Sequence, residues 1–284
     1  MSSNIHGFDN INNRSVGIQS STSMSNSDDR IFNPSIYKIR TVTCFMLILI
    51  IAIYLFQIIA FYMYFDKKGN SWGCLLIRFG AFNGGKIKNH YEIYRFISAL
   101  FLHNSIAHMG SNCLSLFFLG FQVENEIKNK LHYAILYFIS GLMGHFSSLI
   151  FSSNSLSVGA SGAIIGLCGN FVIYFLLNYK RMSERKKYSY GIMFLILFIN
   201  LFSGLAEGGE NINMAAHIGG FLGGFAFSVI LTVKKNSQYL YNNPSAKTLY
   251  YCSIIFLILF PIISISFIVL KNVENNTDYI CKFL

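Results

Sequence analysis

Residues 41–65, TVTCFMLILIIAIYLFQIIAFYMYF, run for 25 positions without a charged side chain. At a rise of about 1.5 Å per residue, a helix of that length exceeds the roughly 30 Å hydrocarbon core of a bilayer. In hydrocarbon every backbone N–H and C=O must be bonded inside the segment, so such a run is helical. Six further apolar runs follow, at 104–123, 131–151, 158–178, 188–205, 213–233 and 249–270. Together they predict an all-α polytopic membrane protein. The composition agrees: 12% of residues are charged and mean hydropathy is +0.47, where soluble domains carry about 25% charge.

The segments between the runs predict the orientation. With residues 1–40 cytoplasmic, the inner segments are 1–40, 124–130, 179–187 and 234–248. They hold 14 of the 22 Lys and Arg residues, as an excess of positive charge on the cytoplasmic side requires. The formal net charge of +10 is therefore read as membrane orientation. Nucleic-acid binding would need the bases gathered on one polar surface. Residues 1–30 are Ser- and Asn-rich with almost no aromatic side chains, which predicts disorder. Residues 1–40 contain no apolar core, so no cleavable signal peptide is expected. In the outer loop 66–103, CLLIRFGAF and YRFISALF read as amphipathic pieces at the membrane interface.

Against this apolar background four polar residues need a reason. His108 and Asn112 are four apart and share a face of the second run. Ser161 opens the fourth run and His217 the sixth. These three runs all cross in the same direction, so all four residues lie toward the outer side. Ser161 and His217 are expected about 5 Å below their helix starts, and Asn112 about 12 Å below its own. Such a set suits nucleophilic catalysis. Serine is a weak nucleophile until a base takes its proton, and neutral His is the usual base. The attacked carbonyl becomes an oxyanion that needs preplaced donors. Asn112, His108 and the Ser161 backbone N–H can supply them. No carboxylate lies near His217 in sequence, which predicts a Ser–His dyad.

Each residue alone also has a plain structural reading. Serine in a membrane helix bonds back to its own backbone. Helix–helix hydrogen bonding would explain His145, and also His108 or Asn112. Gly219, Gly220, Gly223 and Gly224 suit close helix packing without catalysis. The conjunction of residues favours the catalytic reading.

These residues also match a family pattern. The chain resembles the rhomboid intramembrane serine proteases over residues 70–235. The matching motifs are HMGSN (His108 to Asn112), GASG around Ser161, and AHIGGFLGG (Ala216 to Gly224). YRF at Tyr94 to Phe96 resembles the family's Trp-Arg motif, and HNSIAH follows it. The resemblance implies Ser161 as nucleophile, His217 as general base, and His108 and Asn112 as oxyanion donors. It implies that Arg95 holds the first loop and that Glu124 is structural. Gly159 and Gly162 would leave room beside the nucleophile; Gly220 and Gly224 would let the sixth helix press on the fourth. The implied architecture is a six-helix catalytic core at 41–235. A cytoplasmic tail, 1–40, precedes it; a linker, an appended seventh helix and a short outer tail fill 236–284. Two positions depart from the pattern. Ile165 stands where the family often has an aromatic packed on the catalytic His, for which Phe221 is a substitute. Tyr94 replaces the Trp.

The appended helix and the Asn-, Lys- and Ile-rich composition look like the rhomboids of apicomplexan parasites, which cleave surface adhesins. That likeness implies single-span membrane proteins as substrates, lipid surroundings, and the plasma membrane or a secretory organelle as location. No metal or organic cofactor is implied. The oligomeric state stays open. Two rival readings are an inactive rhomboid-like scaffold that binds transmembrane clients, and a transporter lined by His108, Asn112 and His217. Of six cysteines, Cys44, Cys113, Cys168 and Cys252 lie in apolar runs and read as small hydrophobes. The absence of any CxxC pair gives zinc binding little support. Cys74 and Cys281 both fall on the outer side, as a disulfide or as two free thiols.

Overall fold

The computed structural model describes residues 41–206, 213–235, 243–271, Val273 and Cys281. The chain is an all-α membrane protein. Among the described residues, the only β-type pairing is an isolated antiparallel bridge between Phe82 and Ser157. Expectations for residues 1–40, for the loop 207–212 and for the linker 236–242 lie outside the described residues.

Helix α1 spans Thr41–Lys68, ending in a wide turn at Phe61–Phe65 and a tight turn stopped by Gly69 at φ 66°. Three short helices form the following loop: α2 (Trp72–Phe79), α3 (Gly84–His90) and α4 (Arg95–Ser98). Then come α5 (Ile106–Ile127), α6 (Lys130–Phe151), α7 (Ser161–Asn178), α8 (Glu184–Ala206), α9 (Met214–Lys235) and α10 (Pro244–Leu270). Six of these, α1, α5, α6, α7, α9 and α10, are long and apolar enough to cross a membrane. The remaining expected run, 188–205, lies inside α8, which opens on the charged turn ERKK.

Capping residues set several starts. Ser105, Asn129 and Asn243 each accept from the backbone N–H three residues on, at the heads of α5, α6 and α10. Pro244 follows Asn243 at the first helical position, so α10 begins five residues before the expected 249.

Helix α9 packs most extensively, lying between α6 and α7. Its doubled glycines make this close approach feasible. A Cβ on Gly220 or Gly224 would collide with the carbonyl oxygens of Gly162 and Gly166 on α7. One on Gly219 would lie 2.6 Å from the Met143 carbonyl oxygen on α6. The sequence GGFLGG thus gives α9 two small-residue faces, one for each neighbour. The main apolar core lies where α1, α5, α6, α7 and α8 meet, around Ile50, Leu119, Tyr133, Leu136, Phe171 and Tyr190. Helix α10 packs on α9 and α6 from outside, burying Ser253, Ser264 and Ile268 while most of its surface stays exposed.

Because successive long helices alternate in direction, the bundle has two ends. The heads of α5, α7 and α9 share one, called here the site end. The head of α1 meets the tail of α5 at the other, the far end.

Candidate active site

Ser161 is the first residue of α7, not a turn inside it as the run 158–178 suggests. The reason is Gly159, whose φ of 117° keeps the preceding chain out of the helix. The Gly159 N–H donates to the Ala99 carbonyl at 2.8 Å, hanging the approach to Ser161 from the loop. At a helix start the backbone N–H groups have no acceptor within the helix and point outward.

His217 sits near the head of α9. Asn213 caps that head: its Oδ1 accepts from Ala216 N–H at 3.1 Å, while its Nδ2 donates to Ser148 Oγ of α6 at 2.7 Å. The head is also pressed on α6, since a Cβ on Gly144 would lie 2.6 Å from the Ala216 carbonyl oxygen. This seating brings His217 Nε2 to 2.8 Å from Ser161 Oγ. Both side chains are half-buried. The other ring nitrogen, Nδ1, is buried without a hydrogen-bond partner among the described residues.

The α5 pair converges on the same place. A Cβ built on Gly159 would lie 2.8 Å from His108 Nε2 and 3.4 Å from Asn112 Nδ2. Both side chains therefore end against the backbone two residues before Ser161. Asn112 is 1% exposed and its Nδ2 has no partner among the described residues. An amide donor left unpaired in a buried place is costly unless a ligand meets it.

Arg95 is buried within the loop. Its Nη1 donates to the carbonyls of Ile77 (2.8 Å) and Ala81 (2.7 Å), and its Nε bonds Glu92. Tyr94 is exposed. Glu124 stands apart from the site, at the far end. It accepts from Val42 N–H, Thr43 N–H and Thr43 Oγ1, capping the start of α1. Gly162 lies against α9, 3.3 Å from Ala216 O by the same Cβ test. Phe221 packs on the main core.

Among the described residues the bond found for His145 runs to the loop and not to another membrane helix. Its Nδ1 lies 2.9 Å from the Phe96 carbonyl of α4, and its ring stacks on Phe82 at 4.7 Å. The loop folds back onto α6 and supplies the acceptor through its short helix α4.

Three residues escaped the sequence reading. Asn213 carried an N-cap signal, an Asn directly before MAAH. Gln57 is the lone amide of the first run; it exchanges bonds with the His103 backbone at 3.1 and 3.2 Å. His103, within HNSIAH, is fully buried, with its ring edge-on to His108 at 5.2 Å. Its Nδ1 lies 3.2 Å from Phe101 O, and burial pushes its pKa down to about 3. It is therefore neutral at physiological pH. Among the described residues no group of three or more His, Cys, Asp or Glu is arranged to hold a metal ion.

A nucleophile paired with a base, beside an unpaired amide donor, can perform acyl transfer. Comparison with known proteins points the same way. The model of the rhomboid domain matches residues 90–234. RHOMBOID-like protein 4 of Arabidopsis thaliana is 33% identical over 70% of this chain and 51% of its own length. RHOMBOID-like protein 5 of the same plant is 36% identical over 54% of this chain and 48% of its own. The rhomboid protease GluP of Bacillus subtilis is 32% identical over 63% of this chain and 34% of its own. The chain spans about half the length of the Arabidopsis relatives it matches.

Proposed function

The chain belongs to the rhomboid family, and we propose that it is an intramembrane serine protease working through a Ser161–His217 dyad. The carrying observation is the 2.8 Å approach of Ser161 Oγ to His217 Nε2, between residues 56 apart on separate helices. Among the described residues His217 Nδ1 has no hydrogen-bond partner, which supports the dyad reading. In the proposed reaction, Ser161 Oγ attacks the scissile carbonyl carbon and its proton passes to His217 Nε2. Asn112 Nδ2, the His108 ring and the Ser161 N–H stabilise the oxyanion. His217 returns the proton to the leaving amine, and an acyl-enzyme remains. Water, deprotonated by His217, then releases the new carboxylate.

The substrate is a single-span membrane protein whose helix unwinds near the site end; small or helix-breaking residues lower that cost. The likeness to apicomplexan rhomboids suggests surface adhesins. Residues 41–235 form the catalytic core, with α10 appended. Two features support a site end facing the outside or a lumen. The loop charges favour a cytoplasmic far end. The site end also carries a Cys74–Cys281 disulfide, which persists in oxidising compartments.

Co-expression with a single-span reporter tests the proposal. Ser161→Ala is expected to abolish cleavage, and a fluorophosphonate probe to label the wild type but not the variant. Cleavage that survives Ser161→Ala overturns the assignment. Client capture without cleavage or labelling would make the chain a scaffold.

A further inference from the structure

The Cys74–Cys281 disulfide joins positions 207 residues apart in sequence, whose Cα atoms lie 5.0 Å apart. Resting on the protease reading above, we propose that this bond is a positioning device for the oxyanion half of the site.

Cys74 is fully buried on α2, in an apolar cluster with Phe65, Leu75, Leu76, Ala81 and Leu102. Cys281, Leu156 and Val158 pack onto that cluster. Two of these residues adjoin the oxyanion machinery in the chain. Val158 immediately precedes Gly159, against which His108 and Asn112 end. Leu102 immediately precedes His103, whose ring abuts His108. One cluster, closed by the disulfide, therefore backs onto both walls of the oxyanion site.

Hydrogen bonds carry the same connection. Phe82 and Ser157 exchange backbone bonds at 2.9 and 3.0 Å, and Gly159 N–H donates to Ala99 O. The segment leading to Ser161 thus hangs from the loop that α2 and α4 build. The chain leaving α10 docks on that loop too. Lys88 Nζ donates to Lys271 O at 2.5 Å, and Val273 joins a cluster with Phe82, Phe96, Leu149 and Ile268. The disulfide is the covalent end of this docking, linking the appended helix to the loop behind the site.

Opening the bond removes that anchor. Displacing oxyanion donors by a fraction of an ångström weakens transition-state stabilisation and leaves ground-state binding intact. A dithiol reductant opens it in a balanced two-electron exchange. One reductant thiolate attacks a bridge sulfur and displaces the other as a thiolate. The second reductant thiol then closes the reductant's own disulfide, leaving Cys74 and Cys281 as thiols.

The test uses the full chain in proteoliposomes, with kcat and KM on a single-span substrate and the rate of fluorophosphonate labelling. Wild type, Cys281→Ser and wild type treated with a dithiol are compared. A mass shift on thiol alkylation reports whether the bond is open. Opening by either route is expected to lower kcat and labelling rate about tenfold, with KM within about twofold and labelling still reaching completion. Dithiol should add nothing to Cys281→Ser. Wild-type kcat in Cys281→Ser overturns the proposal, as does equal slowing of both proteins by dithiol. A raised KM with unchanged kcat also overturns it, because it places the tail in substrate binding. Should Cys281→Ser fail to fold, the dithiol arm on folded wild type decides alone. A wild type that never labels while alkylation shows the bond closed defeats the protease reading instead, and this inference with it.

Discussion

At the far end of the bundle two carboxylates are enclosed among helices, and each is fully engaged. Glu124 accepts three hydrogen bonds from the head of α1. Glu126 accepts from Gln122 Nε2, Asn170 Nδ2 and the Tyr190 hydroxyl, tying α5 to α7 and α8. At the site end the balance is reversed. Asn112 Nδ2, His217 Nδ1 and His103 Nε2 are buried and have no hydrogen-bond partner among the described residues. A buried polar group that is satisfied contributes to the fold; one left unsatisfied costs stability. The two far-end carboxylates therefore hold helices together, and at the site end the Asn112 amide is left available to a group that is not part of the described chain.

The sharpest way to break this contrast is to remove an unpaired donor. Asn112→Ala is expected to lower kcat about 10²- to 10³-fold, the scale of losing one oxyanion donor. Its thermal midpoint should stay unchanged or rise, since the substitution deletes an unpaired group. Reporter cleavage alongside thermal unfolding in detergent checks both. A variant that keeps its rate but melts earlier would make Asn112 a structural residue and dissolve the contrast.

Much of the bundle could be read from charge-free runs, because a span must satisfy its own backbone and so declares itself by length and composition. The loop between α1 and α5 could not. Its order rests on Arg95 reaching carbonyls 14 and 18 residues earlier in the chain, and no local pattern encodes such reach. Ser161 and His217 were legible because polar groups at the heads of apolar helices are costly and conspicuous. The start of α7 was misplaced by three residues, since Gly159 at positive φ looks like any small residue in a hydropathy window. Asn213 and His103 are less conspicuous: Asn213 caps the head of α9, and His103 lies in the loop with its ring edge-on to His108. The fate of Cys74 and Cys281 was undecidable, because proximity across 207 residues is a property of the fold.

Substitutions at the far end should show the opposite signature. Glu124→Ala strands the buried N–H of Thr43, at about 1–3 kcal/mol for an unsatisfied group, while the Thr43 hydroxyl keeps the Tyr133 hydroxyl as a partner at 2.9 Å. A thermal midpoint lowered by several degrees is expected, with fluorophosphonate labelling of Ser161 at 25 °C unaltered in rate. The smallest effect should come from Tyr190→Phe. It deletes a single donor to Glu126, which still accepts from Gln122 and Asn170. The ring keeps its stacking on Phe171, with centroids 4.1 Å apart. The loss should be about 1 kcal/mol, the usual net worth of one hydrogen bond. Turnover should be unchanged, since neither Tyr190 nor Glu126 lies at the site end. A tenfold fall in kcat at unchanged stability would give Glu126 a part in the reaction cycle, and the division between a holding end and a working end would have to be redrawn around it.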